Sequence, residues 1–191
     1  KFNVNLAKIS VDNGDILAKG IDFPLSKLES RDLFISDKKV QTKILSAIYG
    51  KAKVSALGTI YIDKEKYDLS FDMDAPAGTY PAGLKPLPFV MPAFKAHVKM
   101  LGDLKNPEFL TNVIFSGTEF NNLKIKQGQA QVQINLDQVV ISSSSLKVGE
   151  KGNVLANGEI DINKKTFKFS TKQTGINVPE LLKFLDLKIA R

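Results

Sequence analysis

The feature that most constrains this chain is a two-stranded pattern that occurs twice, 100 residues apart. In Gly149 to Thr171, Val154, Ala156, Gly158, Ile160 and Ile162 fall on alternate residues, with Asn157, Glu159 and Asp161 between them. That is the period of a strand with one apolar and one wet face. The run turns at Asn163-Lys164-Lys165 and returns as Phe167, Phe169 and Thr171, alternating with Lys168 and Ser170, so it predicts a hairpin. From Tyr49 to Met73 the pattern recurs: Val54, Ala56, Gly58, Ile60, Ile62, Tyr67 and Leu69 stand at the places of Val154, Ala156, Gly158, Ile160, Ile162, Phe167 and Phe169. Self-similarity at a fixed offset points to repeated β-units laid side by side.

The rest of the chain reads in the same way. Phe2, Val4 and Leu6 alternate, then Ile9 and Val11 alternate in the opposite phase, which predicts a bulge near Ala7 and Lys8. Asp12-Asn13-Gly14-Asp15 has the Asn-Gly signature of a tight turn, with Ile16 to Ile21 returning from it as a first hairpin. Pro24 followed by Leu25 and Leu28, and Pro179 followed by Leu181, Leu182 and Phe184, predict two short helices just after strands, capping the end of a sheet. Between Asp74 and Phe94 five prolines at 76, 81, 86, 88 and 92 lie among large apolar residues, which predicts a long extended loop, a flap on the core or a lid over a channel. Strands resume at Lys95, turn at Leu101 to Pro107, and continue through Val113, Phe115, Leu123, Ile125, Ala130, Val132, Ile134 and Leu136 to Val148. The organisation expected is one β-segment over residues 1–191, with units of about 1–30, 31–94 and 95–191 and the proline-rich loop at 76–92.

With 191 residues and an apolar share of 43%, the chain can fold as one all-β domain. It has no cysteine, which removes disulfides and thiolate metal sites. Its net charge of +7 comes almost wholly from lysine, Arg31 and Arg191 being the only arginines. Dispersed lysines solubilise a wet face and block edge pairing, whereas phosphate and base recognition favours arginine, so no nucleic-acid partner is expected. Lys1 opens directly into a strand, as in a segment of something longer.

Catalytic chemistry finds little footing. His97, the only histidine, lies in an alternating strand, and no nucleophile elbow, His-based metal spacing or phosphate-cradling glycine loop is present. Asp72 and Asp74 stand on a wet face, and Asp12 to Asp15 lacks the later glutamate of a calcium loop. The expectation is therefore no enzyme, no cofactor and no metal. What remains is surface: many one-sided strands must press their apolar faces together, as a sandwich or barrel would, or leave them apart as a trough for apolar ligands.

The order of three motifs resembles a known family: VxAxGxIxI with a lysine-rich turn and an aromatic pair (Val54 to Leu69, Val154 to Phe169), the turn Gly102-Asp-Leu-Lys-Asn-Pro107, and the exits at Gly20 and Gly175. Together they are similar to the AsmA-like and TamB proteins over nearly the whole chain. The resemblance implies an all-β, curved antiparallel sheet of repeated hairpins, a β-taco with a hydrophobic groove and one or two short helices. It implies a periplasmic location in a bacterium with two membranes and a missing N-terminal anchor in the inner membrane. The partners implied are phospholipid acyl chains and a TamA/BamA-like outer-membrane barrel protein. The function implied is movement of phospholipid between the membranes, or a chaperone-like scaffold role in outer-membrane protein (autotransporter) assembly. By strand phase the groove would be lined by Val54, Ala56, Ile60, Ile62, Tyr67, Leu69, Ala130, Val132, Ile134, Leu136, Val154, Ile160, Ile162, Phe167 and Phe169. The apolar loop from Pro76 to Pro92 departs from that family pattern.

Overall fold

The computed structural model describes residues 3–18, 21–79, 91–103, 105–120 and 123–176. They form β1 (Asn3–Ala18), β2 (Ile21–Ser36), β3 (Lys39–Tyr49), β4 (Ala52–Tyr61), β5 (Lys66–Ala75), β6 (Phe94–Asp103), β7 (Pro107–Phe120), β8 (Leu123–Ile134), β9 (Gln138–Val148), β10 (Gly152–Asp161) and β11 (Thr166–Thr174). The strands lie side by side in chain order in one antiparallel sheet. Each makes its main contacts with its immediate neighbours alone. β1 and β11 do not pair, so the sheet is an open, curved ribbon, and among the described residues no second layer or helix covers it. The all-β antiparallel fold stands as read from the alternation; the sandwich does not.

Lack of a second layer shows in the burial. Among the described residues no large side chain is fully buried, and the core is mostly small: Ala47, Ala52, Ala56 and Ala75, with Tyr67 and Val148. The chain exposes 13501 Å², where a compact monomer of this size exposes about 9,000 Å². The ladder and its cross-strand pairs, not a sealed interior, therefore hold the fold.

The repeat is longer in space than in sequence, because β9–β11 and the turn before them reproduce β3–β5 and theirs. In the first copy, Thr42 pairs with Gly58 and Leu45 with Ala56, so two residues of β3 bulge opposite Leu57. In the second, Ile141 pairs with Gly158 and Ser144 with Ala156, which sets Ser142 and Ser143 opposite Asn157. The turns match as well. Ser36 Oγ accepts the backbone N–H groups of Lys38 and Lys39, and Asn135 Oδ1 accepts those of Asp137 and Gln138. Ile62 N–H donates to the Lys38 carbonyl at 2.7 Å and Ile162 N–H to the Asp137 carbonyl at 2.8 Å, strapping each hairpin to the preceding turn. Glu65 and Lys165 both take positive φ, 51° and 54°, at the hairpin tips.

Two sequence expectations are overturned. Asp12 to Asp15 is not a turn: Asn13 pairs with Ser26, Gly14 with Leu25 and Asp15 with Pro24 inside one long strand. The Asn-Gly preference is local, and a continuous ladder along β2 outweighs it. The segment from Gly20 is not a helix either, since Ile21 onward is β2. Pro24 is tolerated because β3 ends at Tyr49, opposite Leu25, so the missing N–H costs no bond on that side. The second helix, around Leu181 to Phe184, lies outside the described residues. So does most of the proline-rich loop. Its described neck is tied by Gly78 N–H to the Met91 carbonyl at 2.9 Å and by Thr79 Oγ1 to the Pro76 carbonyl at 2.7 Å.

Near Ala7 and Lys8 the phase of the apolar residues does change. The expected bulge is absent, because the β1–β2 register runs through unshifted, Leu6 facing Leu33 and Lys8 facing Arg31; Asp32, opposite Ala7, takes φ 53° instead. Both strands switch phase together there, so Leu6, facing Leu33, and Ile9, facing Ser30, reach the same face.

Candidate functional site

Directly paired residues of an antiparallel ladder project from the same face, so the register maps that face without ambiguity. One row runs Leu69, Met100, Phe109, Ile134, Val139, Ile160, Phe167 across β5 to β11. The next runs Ala56, Phe71, Val98, Thr111, Val132, Ile141. A third joins Ala47, Val54, Met73, Ala96, Val113 and Ala130. These rows make one continuous apolar face.

Twelve of the candidate groove residues fall on this face: Val54, Ala56, Ile60, Tyr67 and Leu69 in the first copy, Ala130, Val132 and Ile134 in β8, and Val154, Ile160, Phe167 and Phe169 in the second copy. Ile62, Leu136 and Ile162 lie in turns at the rim, outside the strands. The centre of the face comes from residues that the repeat did not single out, namely Phe71, Met73, Phe94, Met100, Phe109 and Phe115. Their signal was present as plain alternation in LSFDM, FKAHVKM and EFLTNVIF.

Glycines shape the face where large rings lie flat on it. A Cβ on Gly128 would fall inside the Phe115 ring, and one on Gly158 inside the Phe169 ring. Each aromatic side chain thus lies over a cross-strand glycine, which fills the gap left in the sheet surface. Phe169 in turn packs against Phe167 with ring centroids 5.9 Å apart.

Electrostatics are confined to the rim and the opposite face. Asp103 Oδ1 accepts the backbone N–H groups of Asn106 at 2.7 Å and Lys105 at 2.9 Å; the Asn106 bond foremost holds its carboxyl below the ordinary carboxylate range. Burial, and secondarily the charge of Asp103, holds the Tyr67 hydroxyl above its usual value. Lys164 Nζ lies 2.8 Å from Asp161 Oδ2, lowering the Asp161 pKa and raising that of Lys164. On the wet face, Asp72 Oδ1 meets His97 Nδ1 at 2.8 Å and Asp74 pairs with Lys95 at 3.4 Å. Each strand carboxylate of the Asp72-Met-Asp74 motif therefore has a base on β6, a pairing that only the register reveals.

Among the described residues no group of three or more His, Asp or Glu side chains could hold a metal ion. No described helix is long and apolar enough to cross a membrane, which says nothing of strands. Comparison of the chain with protein families, with curated proteins and with solved structures returns no match.

Proposed function

We propose that the apolar face binds lipid acyl chains, and that the chain is the lipid-carrying segment of an envelope protein of the TamB or AsmA-like kind, passing phospholipid between inner and outer membranes. The observation that carries this reading is a hydrocarbon surface continuous from β3 to β11, with no protein layer on top of it among the described residues. An exposed surface of that size is a liability in water unless an apolar partner occupies it. At about 0.8 kcal/mol per buried methylene, one acyl tail recovers on the order of 10 kcal/mol. Attraction of this type is non-directional, so the face holds many chain types and lets a tail slide from one strand to the next. Headgroups remain at the rim, where lysines of the turns such as Lys38, Lys64 and Lys164 are exposed.

The test is native mass spectrometry of the purified chain, looking for co-purified phospholipid, with Ile160→Arg and Ile134→Asp as face-charging variants. Wild type is expected to carry phospholipid and both variants to lose it while retaining the β-sheet circular-dichroism spectrum. Equal lipid in wild type and variants rejects the reading.

A second reading has its own support in β11. Among the described residues that strand is paired only with β10, and its Phe167 and Phe169 are 73% and 53% exposed. A free edge flanked by aromatic residues is the surface onto which another strand adds. This favours a chaperone-like scaffold for unfolded outer-membrane proteins, working with a TamA/BamA-like barrel. Cross-linking from β11 to an unfolded barrel strand, unaffected by Ile134→Asp, would separate it from lipid carriage.

A further inference from the structure

The sheet also holds a cavity of about 610 Å³ whose lining comes mainly from the other, wet face. It follows two adjacent cross-strand rows over β3 to β7. The first row is Ser46, Ser55, Asp72, His97 and Asn112, and the second is Ile48, Lys53, Asp74, Lys95 and Ile114. Lys27, at a bulged position with φ 51°, adds a cation at one end.

The first row departs from the ordinary wet face of a sheet. Such faces carry long, charged side chains that fill the space above the strands, whereas these five side chains are short or planar, and the space above them is left open. Their bonding capacity is largely unspent. Ser46, Ser55 and Asn112 have no side-chain partner among the described residues. Asp72 and His97 use Oδ1 and Nδ1 on each other, leaving Oδ2 and Nε2 for a ligand. Beyond the cavity the row continues as Gln131, which accepts from Ser143 Oγ at 3.3 Å.

A ligand for this row must both donate and accept hydrogen bonds, and must present them repeatedly at the strand spacing of about 4.8 Å. It also needs apolar patches to rest on Ile48 and Ile114. A phosphate would meet Lys27, Lys53 and Lys95, but it would lie against the Asp72 and Asp74 carboxylates and offers few donors to their oxygens and no apolar face to Ile48 and Ile114. Hydroxyl-rich rings with aliphatic C–H faces fit both rows. We propose that this cavity binds a linear oligosaccharide lying across β3 to β7, with Asp72, His97 and Asn112 reading its hydroxyls and Ile114 supporting a ring face. The site is on the side away from the apolar face and does not depend on lipid binding there.

Isothermal titration of the full chain with chitohexaose, cellohexaose and maltohexaose, and with inositol hexakisphosphate as a polyanion, tests this. At least one hexasaccharide is expected to bind, with affinity falling about tenfold in Asp72→Ala and in Asn112→Leu. Both positions are solvated, so the variants should keep wild-type circular dichroism and wild-type phospholipid content. Gln133→Leu, on the same face but outside the cavity, should bind as wild type does. Binding of the polyanion alone, binding of no hexasaccharide, or binding unchanged in the two cavity variants would each overturn the proposal.

Discussion

Strands β3–β5 and β9–β11 carry the same pattern, the same bulge and equivalent turns, yet the two copies end differently. In the first copy β5 is covered along its outer edge by β6, and Tyr67 is 6% exposed. In the second copy β11 is the edge of the sheet among the described residues, and the equivalent Phe167 is 73% exposed. Two aromatic residues at matching places in one motif thus do different work. The first holds the sheet together, and the second is a surface. A repeat unit's neighbour, more than its own sequence, decides how much each side chain stabilises.

The sharpest way to break this comparison is to truncate both aromatics. Tyr67→Ala should cost about 3 kcal/mol and Phe167→Ala less than about 1 kcal/mol, read from urea-unfolding midpoints. Equal losses would mean that β11 is covered in solution and that the two copies are alike after all.

Next come the paired glycines. Gly58 has φ 136°, and a Cβ there would run into the backbone carbonyl of Asp68. At Gly158 the nearest obstacle is the half-exposed ring of Phe169, and the backbone carbonyl of Lys168 stands farther from the added Cβ, at 2.9 Å, than that of Asp68 does at Gly58. Gly58→Ala should therefore cost about 2 kcal/mol and Gly158→Ala about half of that, since a ring can turn aside more easily than a strand can move. In the Gly158 variant the Phe169 ring resonances should shift by NMR. Unshifted resonances would show that the ring does not lie over the glycine.

Where the copies are alike, the effects should match. Ser36→Ala and Asn135→Ala each remove the acceptor for two backbone N–H groups in equivalent turns, and each should cost about 1 kcal/mol in the same denaturation assay. A clear difference would show that the turns are not equivalent.

The smallest effect concerns the hairpin tips. The first copy sets Lys64 over the Tyr61 ring, with the ammonium 5.5 Å from its centroid, and the second pairs Lys164 with Asp161. Asp161 has a lowered pKa, so its contribution is complete above the unfolded carboxylate value and is lost as pH falls through the folded one. Acid should then lower the protection factor of the Lys164 amide, its exchange rate divided into the intrinsic rate at the same pH, since that N–H also donates to Asp161, and leave protection at the Lys64 turn unchanged. The same loss at both tips would remove the distinction.

Much of this was legible in advance. The alternation of Val54 to Ile60 and of Val154 to Ile160 placed these residues on one face, and the sheet keeps them there, because side-chain direction in a strand is a local property with period two. The Asn13-Gly14 turn and the Pro24 helix misled, because both are local preferences that a long ladder overrides. The pairing of Asp72 with His97, 25 residues apart in sequence, and the row from Ser46 to Asn112 left no trace in the sequence, since each depends on register between strands.

The sequence by itself determined that the strands are one-sided, that they come in repeated units, and that their wet faces are lysine-rich. Only the tertiary structure decided that the strands pair in chain order in a single open layer. Period and turn chemistry act within a few residues, whereas the choice between folding a ribbon onto itself and leaving it spread is made by contacts between distant strands, and the described residues make almost none beyond their immediate neighbours.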